Sequence, residues 1–560
     1  MSKKNSGQQE ILPHTESSRE QECQSRQENP MSKVVYQINV RRVATVVITN
    51  WLAVVILGFL GATAGADEAD RTVTLLFTND VESAYDPIDA FWIDDMDKIG
   101  GIAEMTTLIR ELRESEPNVF LFDSGDIFTG ALAKLTEGAL AFELMITMGY
   151  DAMAIGNHEF EYGHEILAWA KNRAPFPVLG ANFFYKDTDH PFAQAHAIIE
   201  RGGIRIGVIG IMGQDAVTAI IPSFIAPLDV RDPVEMVRKS VAELRDQVDL
   251  IVVLTHQGKT APMQTDAESD PRLQRDIDAD IRLAGAVEGI DILFAGHADA
   301  GTPEPVVHEK TGTIIMQTYG QATHLGYLQV ILDGKTGKIS AFDGKLIPVD
   351  PARWAPDPKV AEKLQDYRSA FPELRVKVGE STARMNRRYI EESDVGNLFA
   401  DAFVDASGAD IGFVHGGSLR KDLPAGDVRV VDILDTYPFV DDLIVKEMSG
   451  DQIRRALEQS LTLERGLLQL SGLELRYDLT RPEGQRIISL ERNGKPVVDG
   501  DRFTVAAPGF LAEGGDLYDS FGEATVIRSG AKVSDIMIEY FRDREIVSIP
   551  LRGRQIEVSQ

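Results

Sequence analysis

At 560 residues the chain is too long for one compact core and should divide into at least two domains. A composition of 43% hydrophobic and 26% charged residues excludes wholesale disorder, and a formal charge of −30 excludes sequence-unspecific binding to a nucleic acid polymer. The single cysteine excludes an internal disulfide and any Cys-rich zinc or iron–sulfur site, so histidines and carboxylates must carry the chemistry.

Residues 1–42 are polar and show no apolar periodicity. Arg41 and Arg42 then abut residues 43–66, a stretch without charge that ends in small residues, with Ala64 and Ala66 spaced as at a signal-cleavage site. The same 24 residues are long enough to span a bilayer if they are not removed. Residues 1–66 therefore read as an N-terminal extension with a signal peptide or anchor. The product is expected to be exported, periplasmic or extracellular, and to touch a membrane only if 43–66 is retained. Cleavage would also remove Cys23, which suits a protein working outside the cytoplasm.

From residue 72 to about 348, short apolar runs alternate with helical patterns. Residues 72–78, 119–122, 250–255 and 290–294 read as buried strands, and 101–114 and 233–247 as amphipathic helices. That alternation predicts an α/β sheet with helices on both faces and chemistry at the strand carboxyl ends. Three prolines and a Trp in 350–358 mark a break, followed by a connecting helix over 360–370. Strand-like 411–414, 473–477 and 503–507 then predict a second α+β region. The boundaries are 67–350 for the first domain, 351–374 for the linker helix and 375–551 for the second domain.

Five segments of the first domain place a polar ligand type directly after a strand-like run. They are Thr78-Asn79-Asp80-Val81-Glu82, Asp123-Ser124-Gly125-Asp126, Gly156-Asn157-His158-Glu159, Thr255-His256 and Gly296-His297-Ala298-Asp299. A lone Asp after a strand is usually a cap or turn former. Five such segments in series supply what a two-metal hydrolase needs: a shared carboxylate, imidazoles and oxygen ligands. Gly156 and Gly296 read as residues that let the backbone turn tightly beside the ligands.

The order of these motifs resembles that of the calcineurin-like metallophosphoesterases, and residues 72–550 as a whole resemble the two-domain 5′-nucleotidase family. The resemblance implies an α/β four-layer metallophosphoesterase sandwich followed by an α+β substrate-binding domain. It implies two divalent metal ions, with Asp126 shared between them. Asp80, Glu82 and Asp299 would serve the first, and Asn157, His256 and His297 the second. His158 would face the phosphate, oriented by Glu161, and the reaction implied is attack on phosphorus by a hydroxide bridging the metals. Two positions depart from the family pattern: Glu82 stands where the family has His, and Asp299 where it has His or Gln. The first site then holds only oxygen donors, which favours a hard ion such as Mn²⁺, Mg²⁺ or Ca²⁺, with Mn²⁺, Zn²⁺ or Fe at the histidines.

In the second domain, His415-Gly416-Gly417-Ser418-Leu419-Arg420, Tyr437-Pro438-Phe439 and Phe510-Leu511-Ala512-Glu513-Gly514-Gly515-Asp516 resemble the family's substrate-binding segments. The resemblance implies that Phe439 and Phe510 sandwich a nucleobase, that Asp516 takes the ribose hydroxyls, and that Arg420 holds the phosphate. A second phosphate arginine should precede Gly396 by about seven residues, where Tyr389 stands with Arg387 and Arg388 beside it and Arg388 as the candidate, and His415 stands where the family has Asn. The expected partner is a small-molecule nucleotide, with oligomeric state unspecified, and the expected reaction is hydrolysis of nucleoside 5′-monophosphates or related nucleotides. The same two-metal chemistry on a UDP-sugar, a 2′,3′-cyclic nucleotide or a sulfur ester of the SoxB kind is the alternative. A non-catalytic binding protein is the remaining reading.

Overall fold

The computed structural model describes residues 69–262 and 273–558. The apolar run 43–66 and residues 263–272 lie outside the described residues. Among the described residues no helix is long and apolar enough to cross a membrane.

The strands of residues 71–348 form two six-stranded sheets. In one, Arg71–Thr78 pairs in parallel with Val119–Asp123, which pairs in parallel with Ala152–Ala154, while His324–Leu332 and Ile339–Pro348 close the other side antiparallel. In the other, Leu250–Gln257 lies parallel between Ile204–Met212 and Ile292–His297. The two sheets face each other across a shared core of Val73, Leu75, Phe77, Phe120, Phe122, Val208, Val252, Leu254 and Phe294. Phe77 and Phe294 stack across it with ring centroids 4.1 Å apart. Alternate residues point the other way. Leu76, Leu121 and Met153 pack with the helices Ile102–Ser115 and Ala139–Met148. Ile211, Val253 and Leu293 pack with Pro233–Leu244 and Asp278–Ala286.

The result is helix, sheet, sheet, helix, the four-layer sandwich. The apolar pattern read as one sheet covered by helices on both faces, and this the structure corrects: each sheet carries helices on its outer face only. A strand buried on both faces is apolar throughout whether its second neighbour is a helix or another sheet, so periodicity cannot separate the two arrangements.

Asp357 caps the connecting helix Pro358–Ala370, accepting from the backbone N–H groups of Lys359 and Val360. Beyond it the layout is α+β. A five-stranded sheet is ordered Gln469–Ser471, Ile411–Val414, Arg502–Pro508, Asp442–Ser449, Thr525–Lys532, with a three-stranded and a four-stranded sheet beside it. The four-stranded sheet is completed by Gln555–Glu557 pairing with Glu474–Tyr477, past residue 551 where the pattern had ended; three residues carry too little periodicity to announce a strand.

Candidate active site

Parallel pairing aligns the carboxyl ends of the strands, Thr78 beside Asp123 and Gln257 beside His297, so the loops that follow converge on one place. The convergence is tight enough to force the backbone. Asp80, Glu82, Asp126, His297 and Asp299 all adopt positive φ, between 45° and 72°, a region non-glycine residues seldom occupy outside constrained sites. Gly156 and Gly296 act differently from the expectation, since neither has positive φ. Their importance is close approach: a Cβ on Gly156 would lie 2.3 Å from Asp126 Oδ1, and one on Gly296 2.8 Å from the Ser124 carbonyl.

At the centre, Asp126 Oδ2 lies 3.0 Å from His256 Nε2. The donor atoms of Asp126, His256 and His297 fall within 4.8 Å of one another, and Glu82, Asp126 and His158 form a second such group. His256 Nδ1 bonds the Ser124 carbonyl at 2.8 Å, which aims Nε2 at Asp126 and at Asn157 Oδ1, 3.1 Å away. The buried Nε2 of His297 has no hydrogen-bond partner among the described residues. Asp80 accepts from the His297 backbone N–H at 2.8 Å and from Asn79 Nδ2, which also reaches Asp299. His158 gives its backbone N–H to Asp126 Oδ1 and its Nδ1 to Glu161 Oε1 at 2.5 Å.

Burial works against charge on all of these groups, and the neighbours decide the outcome. Burial alone would raise Asp126, but His256 and His158 outweigh it and hold the carboxyl below the ordinary carboxylate range. Asp80 is pushed up to about 7 by burial, with His256 opposing and Asp126 adding repulsion. Burial and the nearby Asp80 raise Asp299 well above its usual value, with Arg275 opposing. His256 overcomes burial through Asp126 and rises to about 10, whereas burial and the charge of His256 keep His297 well below its usual value. Buried carboxylates that repel one another beside an orphaned neutral imidazole nitrogen fit divalent cations, which supply the missing positive charge.

Both residues that depart from the family pattern meet an arginine. Glu82 Oε1 lies 3.3 Å from Arg420 Nη1, and Asp299 Oδ2 lies 3.1 Å from Arg275 Nη1. Arg275 is fixed by the carbonyls of Ala261, Pro262 and Ala298. Opposite this end, the same cavity is walled by His415, Arg420, Phe439, Phe510 and Asp516. Phe439 lies 6.1 Å from the His158 ring, and Phe510 lies 5.9 Å from the His415 ring. Asp516 sits between His415 at 3.4 Å and Arg465 at 3.6 Å. Arg388 is not on the wall. Arg387 and Tyr389 are.

Several residues that shape the site were not foreseen. Glu159 is fully buried and accepts the backbone N–H groups of Asp126, Ile127 and Gly156, tying two loops together. Asp441 accepts from Tyr437 and from the Phe510 backbone, so it joins the two phenylalanine loops. Arg465 bonds Thr260 and the Asp215 carbonyl, Lys134 bonds the Phe439 carbonyl at 2.6 Å, and the Asp516 N–H bonds the Thr218 carbonyl at 2.7 Å. These contacts tie the two ends together. Glu159 had a signal in its motif; Arg275 and Arg465 had none, since isolated arginines in loops are ordinary surface residues.

Two family profiles match the chain, calcineurin-like phosphoesterase over residues 73–298 and 5′-nucleotidase, C-terminal domain, over residues 375–523. A 5′-nucleotidase of Vibrio vulnificus is 27% identical over 528 residues, spanning 86% of this chain and 92% of that protein. A solved 5′-nucleotidase precursor from Thermus thermophilus superposes with a TM-score of 0.76 at 25% identity, covering 88% of this chain and all of that one. The chain belongs to the 5′-nucleotidase family. It is a metal-dependent phosphoester hydrolase of that family. The fold extends further: the sulfate thiohydrolase SoxB of Thermus thermophilus aligns with a TM-score of 0.69 at 18% identity, over 87% of this chain and 97% of that one.

Proposed function

We propose that this 5′-nucleotidase family member is exported and hydrolyses nucleoside 5′-monophosphates, or closely related nucleotides, to nucleoside and phosphate. One observation carries the reading: a single cavity is lined at one end by Asp80, Asp126, Asn157, His158, His297 and Asp299, and at the other by Arg420, Phe439, Phe510 and Asp516. Asp126 would be shared by two divalent ions, with Asp80, Glu82 and Asp299 on one side and Asn157, His256 and His297 on the other. When bound, such ions acidify water and offset charge on phosphoryl oxygens.

The protein's own groups then have distinct tasks. Burial opposes the charge on His158, but Asp126, Glu161 and Glu82 raise its pKa well above the usual value. Glu161 holds Nδ1 and turns Nε2 toward Glu82 and Arg420, where it would meet an oxygen that gains charge in the transition state. The Arg420 guanidinium offers phosphate oxygens paired donors. Phe439 and Phe510 offer faces for a planar base, and Asp516 a carboxylate for sugar hydroxyls.

Phosphate release from a panel of AMP, other nucleoside monophosphates, UDP-sugars, cyclic nucleotides and a generic phosphate ester tests the substrate. Turnover of AMP with none of UDP-glucose is the expected result, and the reverse preference overturns it. Restoring the chelated enzyme ion by ion tests the all-oxygen site: Mn²⁺ should restore activity, and restoration by Zn²⁺ alone would remove the hard-ion assignment. N-terminal sequencing of the secreted protein should read from near Asp67.

A further inference from the structure

Glu82 is the residue whose surroundings fit its expected role least. Its carboxylate, with the side chain 10% exposed, touches both groups assigned to the substrate's phosphate, Arg420 and His158. Oε1 is 3.3 Å from Arg420 Nη1 and 3.3 Å from His158 Nε2, and Arg420 Nη2 is 3.1 Å from the same His158 nitrogen. The geometry is imposed from below: the Glu82 backbone has φ 45° and gives its N–H to the Asp126 carbonyl, which lifts the side chain across the cavity toward Arg420. Arg420 is fixed from the far side, its N–H bonded to the Thr436 carbonyl just after the Gly416–Ser418 turn.

A carboxylate is a planar oxyanion, and a guanidinium binds it with the donors it would give a phosphoryl group. We propose that Glu82 occupies the phosphoryl subsite of the resting protein and competes with phosphate oxygens for Arg420 and His158, an inference that rests on the reading of those two residues as the phosphate-holding groups. A histidine at this position could not compete, since it offers no negative charge to the arginine. Glu82 therefore sets how tightly the site holds an oxyanion and how readily inorganic phosphate leaves. Because Glu82 also belongs to a side-chain group that could hold a divalent ion with Asp126 and His158, its carboxylate would leave Arg420 open to phosphate when so engaged. Cation and phosphate binding are thereby coupled through one side chain.

Calorimetric titration of the full-length chain with inorganic phosphate, before and after removal of metal by chelation, tests this. In the metal-free protein Glu82→Gln should bind phosphate about tenfold more tightly than wild type, the worth of one charge-assisted hydrogen bond. Mn²⁺ should narrow that difference. Glu82→His supplies a second variant should Gln impair folding, which thermal melting reports, and it should show the same gain. Equal or weaker phosphate binding by both variants, in a protein whose phosphate affinity still depends on Arg420, overturns the competition alone. A gain that survives Arg420→Met in the Glu82→Gln background overturns the assignment of Arg420 to phosphate, and the proposal with it.

Discussion

The two ends of the cavity are built on opposite plans. At the metal end, each candidate ligand lies in a parallel strand or follows the end of one by no more than four residues, and the backbone takes positive φ at Asp80, Asp126 and His297. At the opposite end, proposed to take the nucleoside, Phe439 and Phe510 sit on turns and short helices, and other loops hold them: Asp441 joins them, and Lys134 anchors the Phe439 carbonyl. A site made from strand ends is rigid and fit for chemistry common to all phosphate esters. A site made from loops can change what it recognises without disturbing that chemistry.

This contrast predicts which substitutions damage every substrate and which damage nucleotides only. Asp126→Asn removes the shared charge at the metal end and should lower kcat by about 10⁴-fold or more on AMP and on p-nitrophenyl phosphate alike. His158→Asn should cost about 10²- to 10³-fold in kcat on both, since it removes one donor and leaves the ligand set in place. A comparable loss at the two positions would erase the ranking. Phe510→Ala should raise KM for AMP about 10- to 100-fold, the value of one lost base stack, and leave p-nitrophenyl phosphate unchanged. If both substrates suffer equally, the two ends are not separable.

The smallest effect concerns how the metal end is braced. Asp280 is fully buried beneath the strand that presents His256, where Oδ1 accepts from Thr255 at 2.6 Å and from Gln257 at 3.0 Å. Burial pushes its carboxyl up to about 7 from an ordinary 3.8. Between those values the folded state keeps a proton that the unfolded chain has released, so stability is greatest below pH 4 for this group and falls as pH rises through 7. Asp280→Asn removes that slope. The variant should gain about 2–4 kcal/mol relative to wild type between pH 4 and 8 in denaturant titrations. A constant difference across pH would show that the carboxyl is not the neutral brace described.

Much of the metal end was legible in the sequence because its information is local. A strand fixes the direction in which its last residue points, so Asp80, Asp126, Asn157, His256 and His297 announce themselves by following apolar runs. The other end was legible only through resemblance of short segments, and there the sequence left the choice among Arg387, Arg388 and Tyr389 open, because no regular strand or helix sets the phase; the cavity wall carries Arg387 and Tyr389. Glu82 and Asp299 were read as ligands by position, but position says nothing of the arginines that meet them.

By itself the sequence determined the element types and the polar residues that follow the strands, since side-chain period and strand-end placement follow from covalent geometry and burial along a few residues. The tertiary structure decided that the two apolar layers face each other and that Glu82 meets Arg420 rather than water. It also decided that Asp80 accepts from His297, 217 positions away. Those outcomes depend on which surfaces the chain brings together after hundreds of residues. A side chain's neighbours at that separation are set by the packing of whole sheets, which no local pattern records.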